Sequence, residues 1–223
     1  MMDAGELDWR HEARLDALLS PAPRRVFIDM PIGLAEAGPR TCEQLARNRL
    51  KHRKSSVFPI PVRDAIYAST YLDACAMNES RTGKRISKQA WNIAPKIREL
   101  DQLLEKRSYL ERRLAEAHPE LCFQRLNNDQ PLTHNKHGSD GILERLAILE
   151  RFTRATAHLE QGLQQFNRSA VQADDLLDAL CLLVVARMPR SQHEQLPYPA
   201  PRDARGLRMR IVCARDESAH LGL

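Results

Sequence analysis

The order of apolar and polar residues along this chain predicts a helix-rich protein with a few short strands. Residues 9–19 have the spacing of a short amphipathic helix, and the apolar run in "RRVFIDMP" (24–31) is typical of a buried strand that ends at Asp29. Helical periods return over 39–53 and 62–77. The proline-bearing stretch "SSVFPIPVRD" between them predicts a rigid loop.

The middle and the end of the chain contain clear start and stop signals. A helix is predicted near Ser87, and a second helix is predicted to begin at Pro95, because proline is favoured in a first helical turn. The segment "AEAHPELCF" predicts an irregular strand in which Glu116, His118 and Glu120 share one face. The remaining predictions are helices over 140–165 and 174–187, a proline-rich connection over 190–205 and a final strand in "GLRMRIVCA".

Three carboxylates stand at the head of the apolar helix predicted over 174–187. Acids in a first turn cap a helix and suit the positive end of its dipole, which accounts for Asp174 and Asp175. Asp178 lies one turn further in, where an unpaired carboxylate among apolar residues is costly. Asp175 and Asp178 share a helical face, so the pattern fits helix capping and a divalent metal site about equally well.

Length and composition place the chain among globular proteins. Its 223 residues, 43% of them hydrophobic, can bury a core as a single domain over 1–223. The longest apolar stretch, 179–186, is far shorter than a membrane span, and the acidic N-terminus does not resemble a secretory signal. Five scattered cysteines without a CxxC pair predict reduced core thiols in a cytoplasmic protein and argue against a zinc site.

Basic residues are concentrated in one segment of a chain whose net charge is +5. The segment "RNRLKHRKSS" has no acid and five cations, Arg47, Arg49, Lys51, Arg53 and Lys54. Such a cluster attracts polyanions, since phosphate contacts supply most of the non-specific affinity for nucleic acid. A solvated basic face is the alternative, and the segment alone favours nucleic acid only slightly.

The common nucleotide and hydrolase motifs do not occur in this sequence. It has no G-x-x-x-x-G-K-[ST], G-x-G-x-x-G or G-x-S-x-G, which argues against a P-loop enzyme, a dinucleotide enzyme and an α/β-hydrolase. What remains is a set of acids at the ends of predicted elements: Asp29, Glu116, Glu120, Asp175 and Asp178. Capping or surface exposure explains each acid alone. Together they favour convergence on Mg²⁺ or Mn²⁺, as two-metal phosphodiester hydrolysis requires.

Six ordered segments carry a family resemblance. They are "FIDMPIGL", "SVFPIPVRDAIY", "KQAWNIAPKIRELD", "AEAHPELCF", "DDLLDAL" and "GLRMRIVCA". In this order they resemble the predicted ribonuclease-H-like nucleases catalogued as a domain of unknown function, from about residue 24 to the C-terminus. The stretch "DLLDALCLL" is also similar to the acidic helix of RuvC-type Holliday-junction resolvases.

The resemblance implies a role for individual residues. It implies catalytic carboxylates at Asp29, Glu116, Asp175 and Asp178, of which all but Glu116 would bind the Mg²⁺ or Mn²⁺ ion. We accordingly expect Asp178→Asn to weaken Mn²⁺ binding without unfolding the protein. The residues given a supporting role are His118, Glu120, Lys96 and Glu99.

One feature of the resembled family has no counterpart in this chain. Domains of that family open with a strand that carries a Gly-Val-Asp-Gly-like motif, and only about two dozen residues precede "FIDMPIGL" here. A truncated start and a natural variant without the first strands both explain the difference. We expect an α/β, ribonuclease-H-like, helix-rich fold whose reduced mixed sheet lacks the usual first strands. Its open edge predicts a homodimer.

Three functions follow from these expectations. The first is a metal-dependent nuclease that hydrolyses phosphodiester bonds through clustered carboxylates. The second is a catalytically inactive nucleic-acid-binding or scaffolding protein that retains the fold. The third is an enzyme that acts on small phosphorylated molecules, since nothing in the sequence specifies a polymer.

Overall fold

The computed structural model describes residues 7–167 and 169–215. Its helices are α1 Leu15–Leu18, α2 Thr41–Leu50, α3 Arg63–Tyr67, α4 Tyr71–Thr82, α5 Lys88–Lys106, α6 Pro119–Leu126, α7 Ser139–Glu150, α8 Ala155–Gln165 and α9 Ala173–Arg187. Its strands are β1 Val26–Ile28, β2 Leu114–Glu116, β3 His193–Leu196 and β4 Ile211–Ala214. Short 3₁₀ helices occupy Lys51–Ser56, Ser108–Arg112 and Arg190–Gln192. The predicted α/β, helix-rich class is confirmed.

The described chain forms two compact units made of interleaved segments. Unit 1 contains residues 7–13, 119–194 and 213–215, and unit 2 contains residues 14–118 and 195–212. Helices α6 to α9 belong to unit 1, whereas α1 to α5, β1 and β2 belong to unit 2. Strands β3 and β4 pair as a two-stranded sheet. The single domain over 1–223 stays a prediction.

The parallel strand pair of unit 2 brings together two distant segments of the chain. Val26 pairs with Leu114 and Ile28 with Glu116, so both strands end at the same edge. This pairing confirms a strand within "RRVFIDMP", although β1 is half-buried rather than buried. Apolar residues of α5 and of the segments around β1 and β2 pack beside the pair. They include Leu19, Ile32, Leu100, Leu104, Leu110 and Leu114.

Unit 1 is helical and is built around α9. Helices α6, α7 and α8 all pack against it, and its apolar side is buried. The helix predicted over 174–187 is therefore confirmed. The helix predicted over 140–165 is instead two helices, because the carboxylate of Glu150 accepts a hydrogen bond from the backbone N–H of Thr156 at 2.6 Å and caps α8.

The helix predicted over 9–19 is wrong for most of its length. Only Leu15–Leu18 is helical, and residues 7–13 pack within unit 1. There Trp9 is buried, its Nε1 donates to the carbonyl of His158 at 3.0 Å, and its own carbonyl accepts from Gln165 Nε2 at 2.8 Å. Contacts with α8 thus replace the hydrogen bonds that a longer helix would have made.

The helix predicted over 62–77 is also divided. Helix α3 ends at Tyr67 and α4 begins at Tyr71, because the hydroxyl of Thr70 accepts the backbone N–H of Asp73 at 3.1 Å. A side chain that caps a new helix ends the old one, and the apolar period continues across the break. The "VFPIPV" part of the predicted loop contains neither helix nor strand, as expected.

Helix α5 is continuous where two helices were predicted. It begins at Lys88, next to the predicted start at Ser87, whose hydroxyl caps the helix by accepting the backbone N–H of Ala90 at 3.1 Å. No second helix starts at Pro95, which lies inside α5. The apolar residues of α5 before and after Pro95 are buried in unit 2, and we infer that this packing offsets the hydrogen bond lost at an interior proline.

The strand predicted in "AEAHPELCF" is wrong beyond Glu116. Strand β2 ends at Glu116, and α6 begins at Pro119, where proline suits the first turn of a helix. Glu120 lies in α6 and therefore shares no strand face with Glu116. A proline that weakens a strand also starts a helix, so the local pattern fitted both structures.

Several further expectations can be compared with the described residues. All five cysteines are buried and none of them forms a disulfide, which confirms core thiols. Over residues 7–167 and 169–215, no helix has both the length and the apolar character to cross a membrane. The final strand is confirmed as β4, but it pairs with β3, and no third described strand joins β1 and β2. The homodimer through this sheet edge stays a prediction.

Candidate functional site

Asp29 and Glu116 lie at the same edge of the β1–β2 pair. Asp29 directly follows β1 and is exposed to solvent, and Glu116 is the last residue of β2 and is buried. Their carboxylates interact electrostatically, since the negative charge of Asp29 helps to raise the pKa of Glu116. The structure thus brings together two of the four predicted catalytic carboxylates. Asp175 and Asp178 belong to unit 1.

A fully buried arginine occupies the inner side of this edge. Arg40 pairs with Glu116 through Nη2, and its Nη1 lies 3.2 Å from Oε1 of Glu43. The same oxygen of Glu116 accepts the backbone N–H of Ile32 at 2.8 Å. Burial raises the pKa of Glu116, whereas Arg40 and the Ile32 N–H oppose that rise by stabilising the carboxylate. Glu116 is therefore committed to interactions within the protein.

The buried groups at this edge have the spacing of a metal site. One ligand atom from each of Cys42, Glu43 and Glu116 lies within 4.8 Å of the others, a separation that one ion could span. Arg40 already places its guanidinium beside both carboxylates. Burial raises the pKa of the Cys42 thiol far above its usual range, so the thiolate that a metal needs is unfavourable. The resident cation of this cluster is Arg40.

We expect Glu43 to make the stability of unit 2 depend on pH. Burial, together with the charge of Glu116, raises the pKa of Glu43 to about 7 despite the opposing effect of Arg40. Because this folded-state pKa lies above the unfolded-state value near 4.5, the protonated form favours folding. The contribution is complete below pH 4.5 and is lost as the pH rises to about 7. We expect urea unfolding of Glu43→Gln to lose this pH dependence.

An exposed glutamate of the same unit provides the control for this experiment. Glu79 lies on the surface of α4, so Glu79→Gln should retain the pH dependence of the wild-type protein. Unfolding is measured at pH 5.5, 6.5 and 7.5 for all three proteins. Parallel pH curves for wild type and Glu43→Gln would show that Glu43 carries no shifted proton.

The loop after Asp29 is fixed by several backbone contacts. Gly33 has φ +77°, and a Cβ there would lie 3.1 Å from the carbonyl oxygen of Leu207 and closer still to the Met209 side chain. The next backbone N–H, of Leu34, donates to Oδ2 of Asp203 at 3.0 Å. With the Ile32–Glu116 bond, these contacts anchor residues 32–34 of the segment "FIDMPIGL". Asp29 is thus presented by an anchored turn.

A charge network that the sequence did not predict supports the same loop. Arg63 contacts three carboxylates: Glu36 at 3.0 Å, Asp101 at 2.7 Å and Asp203 at 2.6 Å. Asp101 is buried and also accepts from the hydroxyl of Tyr67 at 2.7 Å. Arg63 and Asp101 occur in the motifs "SVFPIPVRDAIY" and "PKIRELD", and that membership was the available signal. Nothing in the sequence singled out Arg40.

Lys96 and Glu99, given a supporting role by the resemblance, form a local structural contact. Glu99 accepts the backbone N–H of Leu15 at 2.7 Å and lies 3.1 Å from the ammonium of Lys96. The Leu15 N–H and then Lys96 lower the pKa of Glu99. The pair therefore attaches the start of α1 to α5 within unit 2.

The acids at the start of α9 have different partners in unit 1. Asp175 is exposed and accepts the backbone N–H of Gln172 at 2.9 Å, as a capping residue does. Asp174 and Asp178 instead share the ammonium of Lys136, at 3.3 and 2.9 Å. Burial lowers the pKa of Lys136, but the charges of Asp178 and Asp174 outweigh it and raise the pKa. The face that holds a cation is therefore Asp174 with Asp178.

His118 and Glu120 belong to different units. His118 is the last residue of the segment 14–118 of unit 2 and follows β2 in the chain. Its Nε2 lies 3.2 Å from the carbonyl oxygen of Ser56. Because a carbonyl can only accept, Nε2 is the donor in this contact, and Nδ1 is buried without a hydrogen-bond partner among the described residues. Glu120 in unit 1 pairs with the fully buried Arg145 at 2.8 Å.

The basic segment contains both structural and exposed cations. Arg47 donates to the backbone carbonyls of Lys54, at 2.8 Å, and of Val57, so it holds the turn that follows α2. Lys51 and Lys54 are exposed, whereas Arg49 and Arg53 are half-buried. The 3₁₀ helix Lys51–Ser56 adjoins His118 through Ser56. Basic residues thus lie next to the segment that follows Glu116.

Together these features describe a helix-rich α/β protein with a carboxylate–arginine cluster at the end of a parallel strand pair. The chain belongs to a family of proteins of unknown function, DUF429, whose family model matches residues 1–203. This membership agrees with the domain of unknown function suggested by the six motifs. A comparison with curated proteins and one with solved structures gave no match.

Proposed function

We propose that this protein is a metal-dependent hydrolase that acts on phosphodiester bonds of nucleic acid. The observation that carries the proposal is the edge of the β1–β2 pair, where Asp29 is exposed beside Glu116. His118 links that edge to the basic 3₁₀ helix Lys51–Ser56. Carboxylates bind divalent metal ions and cations attract phosphates, so in this proposal the edge supplies metal ligands and the basic helix attracts the substrate.

In this proposal Mg²⁺ or Mn²⁺ binds at the exposed carboxylate of Asp29, which supplies hard oxygen atoms. Oε2 of Glu116 accepts from Arg40 and from the Ile32 N–H. A bound ion would supply Lewis acidity and an activated water. Glu116 then positions the turn that carries Asp29, and Lys51 and Lys54 attract the phosphate backbone.

The test is cleavage of labelled single-stranded, duplex and branched nucleic acids by the full chain with Mn²⁺. We expect Asp29→Asn to lower the cleavage rate at least tenfold, because the substitution removes a charged ligand oxygen. Asp64→Asn is the matched control, since Asp64 is an exposed aspartate of unit 2 whose nearest cation, Arg81, is 3.6 Å away at the surface. Absence of cleavage by the wild-type protein, or equal rates for both variants, would refute the proposal.

A second candidate function is nucleic-acid binding without catalysis. It is favoured by the partners of three of the predicted catalytic carboxylates, since Arg40 engages Glu116, the Gln172 N–H engages Asp175 and Lys136 engages Asp178. Catalysis and binding alone are distinguished by the same assays. Binding that persists where no substrate is cleaved would select this second function.

The exposed lysines of the basic segment allow nucleic-acid binding to be measured directly. In the loop variant, Lys51→Gln/Lys54→Gln, we expect the slope of log affinity against log salt for duplex DNA to fall by about 1.8, since each phosphate contact contributes about 0.9. The surface control variant, Lys84→Gln/Arg112→Gln, removes two exposed cations of unit 2 from other places. Equal slopes for the two variants would identify 47–54 as a solvated basic face.

A further inference from the structure

A cleft in unit 2 lies between α5 and the segment that leads into α1. Its volume is about 520 Å³, within the range of about 300–1,000 Å³ typical of small-ligand pockets. Helix α5 contributes residues one turn apart, among them Pro95, Arg98, Gln102 and Lys106. The contact between Glu99 and the Leu15 N–H fixes the two segments that form the cleft.

The charges that line this cleft are mostly positive. Four cations, Arg14, Arg98, Lys106 and Arg107, face two acids, Asp16 and Glu99. Both acids are already engaged, since Asp16 lies 2.7 Å from Arg107, and Glu99 accepts from Leu15 and pairs with Lys96. The excess of positive charge is therefore not compensated by the lining itself.

Two of these cations keep most of their donors available. Among the described residues, Lys106 forms no ion pair, and the guanidinium of Arg98 makes one long contact, 3.4 Å from the carbonyl oxygen of Ala68. They lie on the same side of α5, two turns apart, and Arg14 is exposed at the other side of the cleft. A guanidinium presents a planar fork of donors that matches phosphate oxygens, and an ammonium adds a point charge.

We propose that this cleft binds a phosphate group of a nucleotide or of a nucleic-acid strand. The site does not depend on the hydrolase proposed above, because none of its lining residues takes part in the edge that carries Asp29. Arg98 supplies forked donors, Lys106 supplies charge, and Gln102 offers an amide for a neighbouring polar group. A single phosphate fits the volume together with an attached nucleoside.

The test measures binding of three probes to the full chain by calorimetry. Pyrophosphate and adenosine monophosphate represent free phosphate ligands, and a twelve-nucleotide oligomer without terminal phosphates represents a strand. In the cleft variant, Arg98→Gln/Lys106→Gln, affinity for the bound probe is expected to fall at least tenfold. The loop variant and the surface control variant should retain affinity for the small probes within about twofold.

The two sources of phosphate are distinguished by which probes respond. A tenfold loss for the small probes identifies a free nucleotide site. A loss confined to the oligomer identifies a strand site, and the slope of log affinity against log salt should then be lower by about 1.4 in the cleft variant. Arg98→Lys keeps the charge without the fork and should recover part of the affinity. No binding of any probe, or an equal loss in the cleft and surface control variants, overturns the proposal. If the cleft variant loses affinity, the proposal is upheld even where the wild-type protein cleaves no nucleic acid.

Discussion

Arg40→Met is expected to lower the free energy of unfolding by about 3–5 kcal/mol at pH 7, the range typical of removing one partner from a buried ion pair. The side chain of Arg40 is fully buried between Glu116 and Glu43. Methionine fills most of the volume but leaves both carboxylates without a cation. The carbonyl of Ile32 also loses its contact with Arg40 Nη2, at 3.4 Å.

The loss caused by Arg40→Met should depend on pH. Burial raises the pKa of both Glu43 and Glu116, so these groups can accept protons as the pH falls. A neutral carboxyl group is less costly to bury than a carboxylate, and the loss at pH 5 should therefore be smaller than at pH 7. Arg40→Met/Glu116→Gln should recover part of the stability at pH 7, because it removes one unpaired charge.

The measurement is urea unfolding monitored by tryptophan fluorescence in a Trp9→Phe background. The chain has two tryptophans, Trp9 in unit 1 and Trp91 in unit 2, so this background reports on the unit that contains Arg40. Arg112→Met is the control, since Arg112 is exposed in the same unit and should change stability by less than about 0.5 kcal/mol. Equal stabilities of the Arg40→Met and Arg112→Met proteins would contradict the prediction.

Arg63→Met is expected to cost about 3–5 kcal/mol as well, through a different network. Its guanidinium contacts Asp101 and Asp203, whose side chains are 3% and 0% exposed, and both would become under-compensated. Arg205 still contacts Asp101 at 2.8 Å, so the charge of Asp203 should be the larger source of the loss. Asp203 holds the Leu34 N–H, and the turn after Asp29 should loosen with it.

The matched control for Arg63 is an arginine at the surface of the same unit. Arg81 lies 3.6 Å from Asp64, both side chains are more than half exposed, and Arg81→Met should cost less than about 1 kcal/mol. Arg63→Lys should lie between the two, because an ammonium cannot bridge three carboxylates as a guanidinium does. The same fluorescence assay applies. A loss for Arg63→Met no greater than that for Arg81→Met would show that the network contributes little.

Local features of the sequence were enough to predict several elements and one part of the site. Ser87 caps a helix through its own hydroxyl, and the apolar run after Asp174 makes α9, because both signals depend on neighbouring residues. Asp29 was expected at the end of a strand, and it lies there. Errors arose where two local structures were equally compatible with the pattern, as at Pro95 and Pro119.

What the sequence by itself determined about this protein is its helix-rich α/β class, its buried thiols and the position of Asp29 at a strand end. Only the tertiary structure decided which charges pair, because the partners are far apart in the chain. Arg40 and Glu116 are 76 residues apart, and Arg63 and Asp203 are 140 apart. Local sequence patterns predict contacts between residues that lie within one or two turns of each other along the backbone. A buried charge pairs instead with an opposite charge that the fold brings close to it, whatever their separation in the chain.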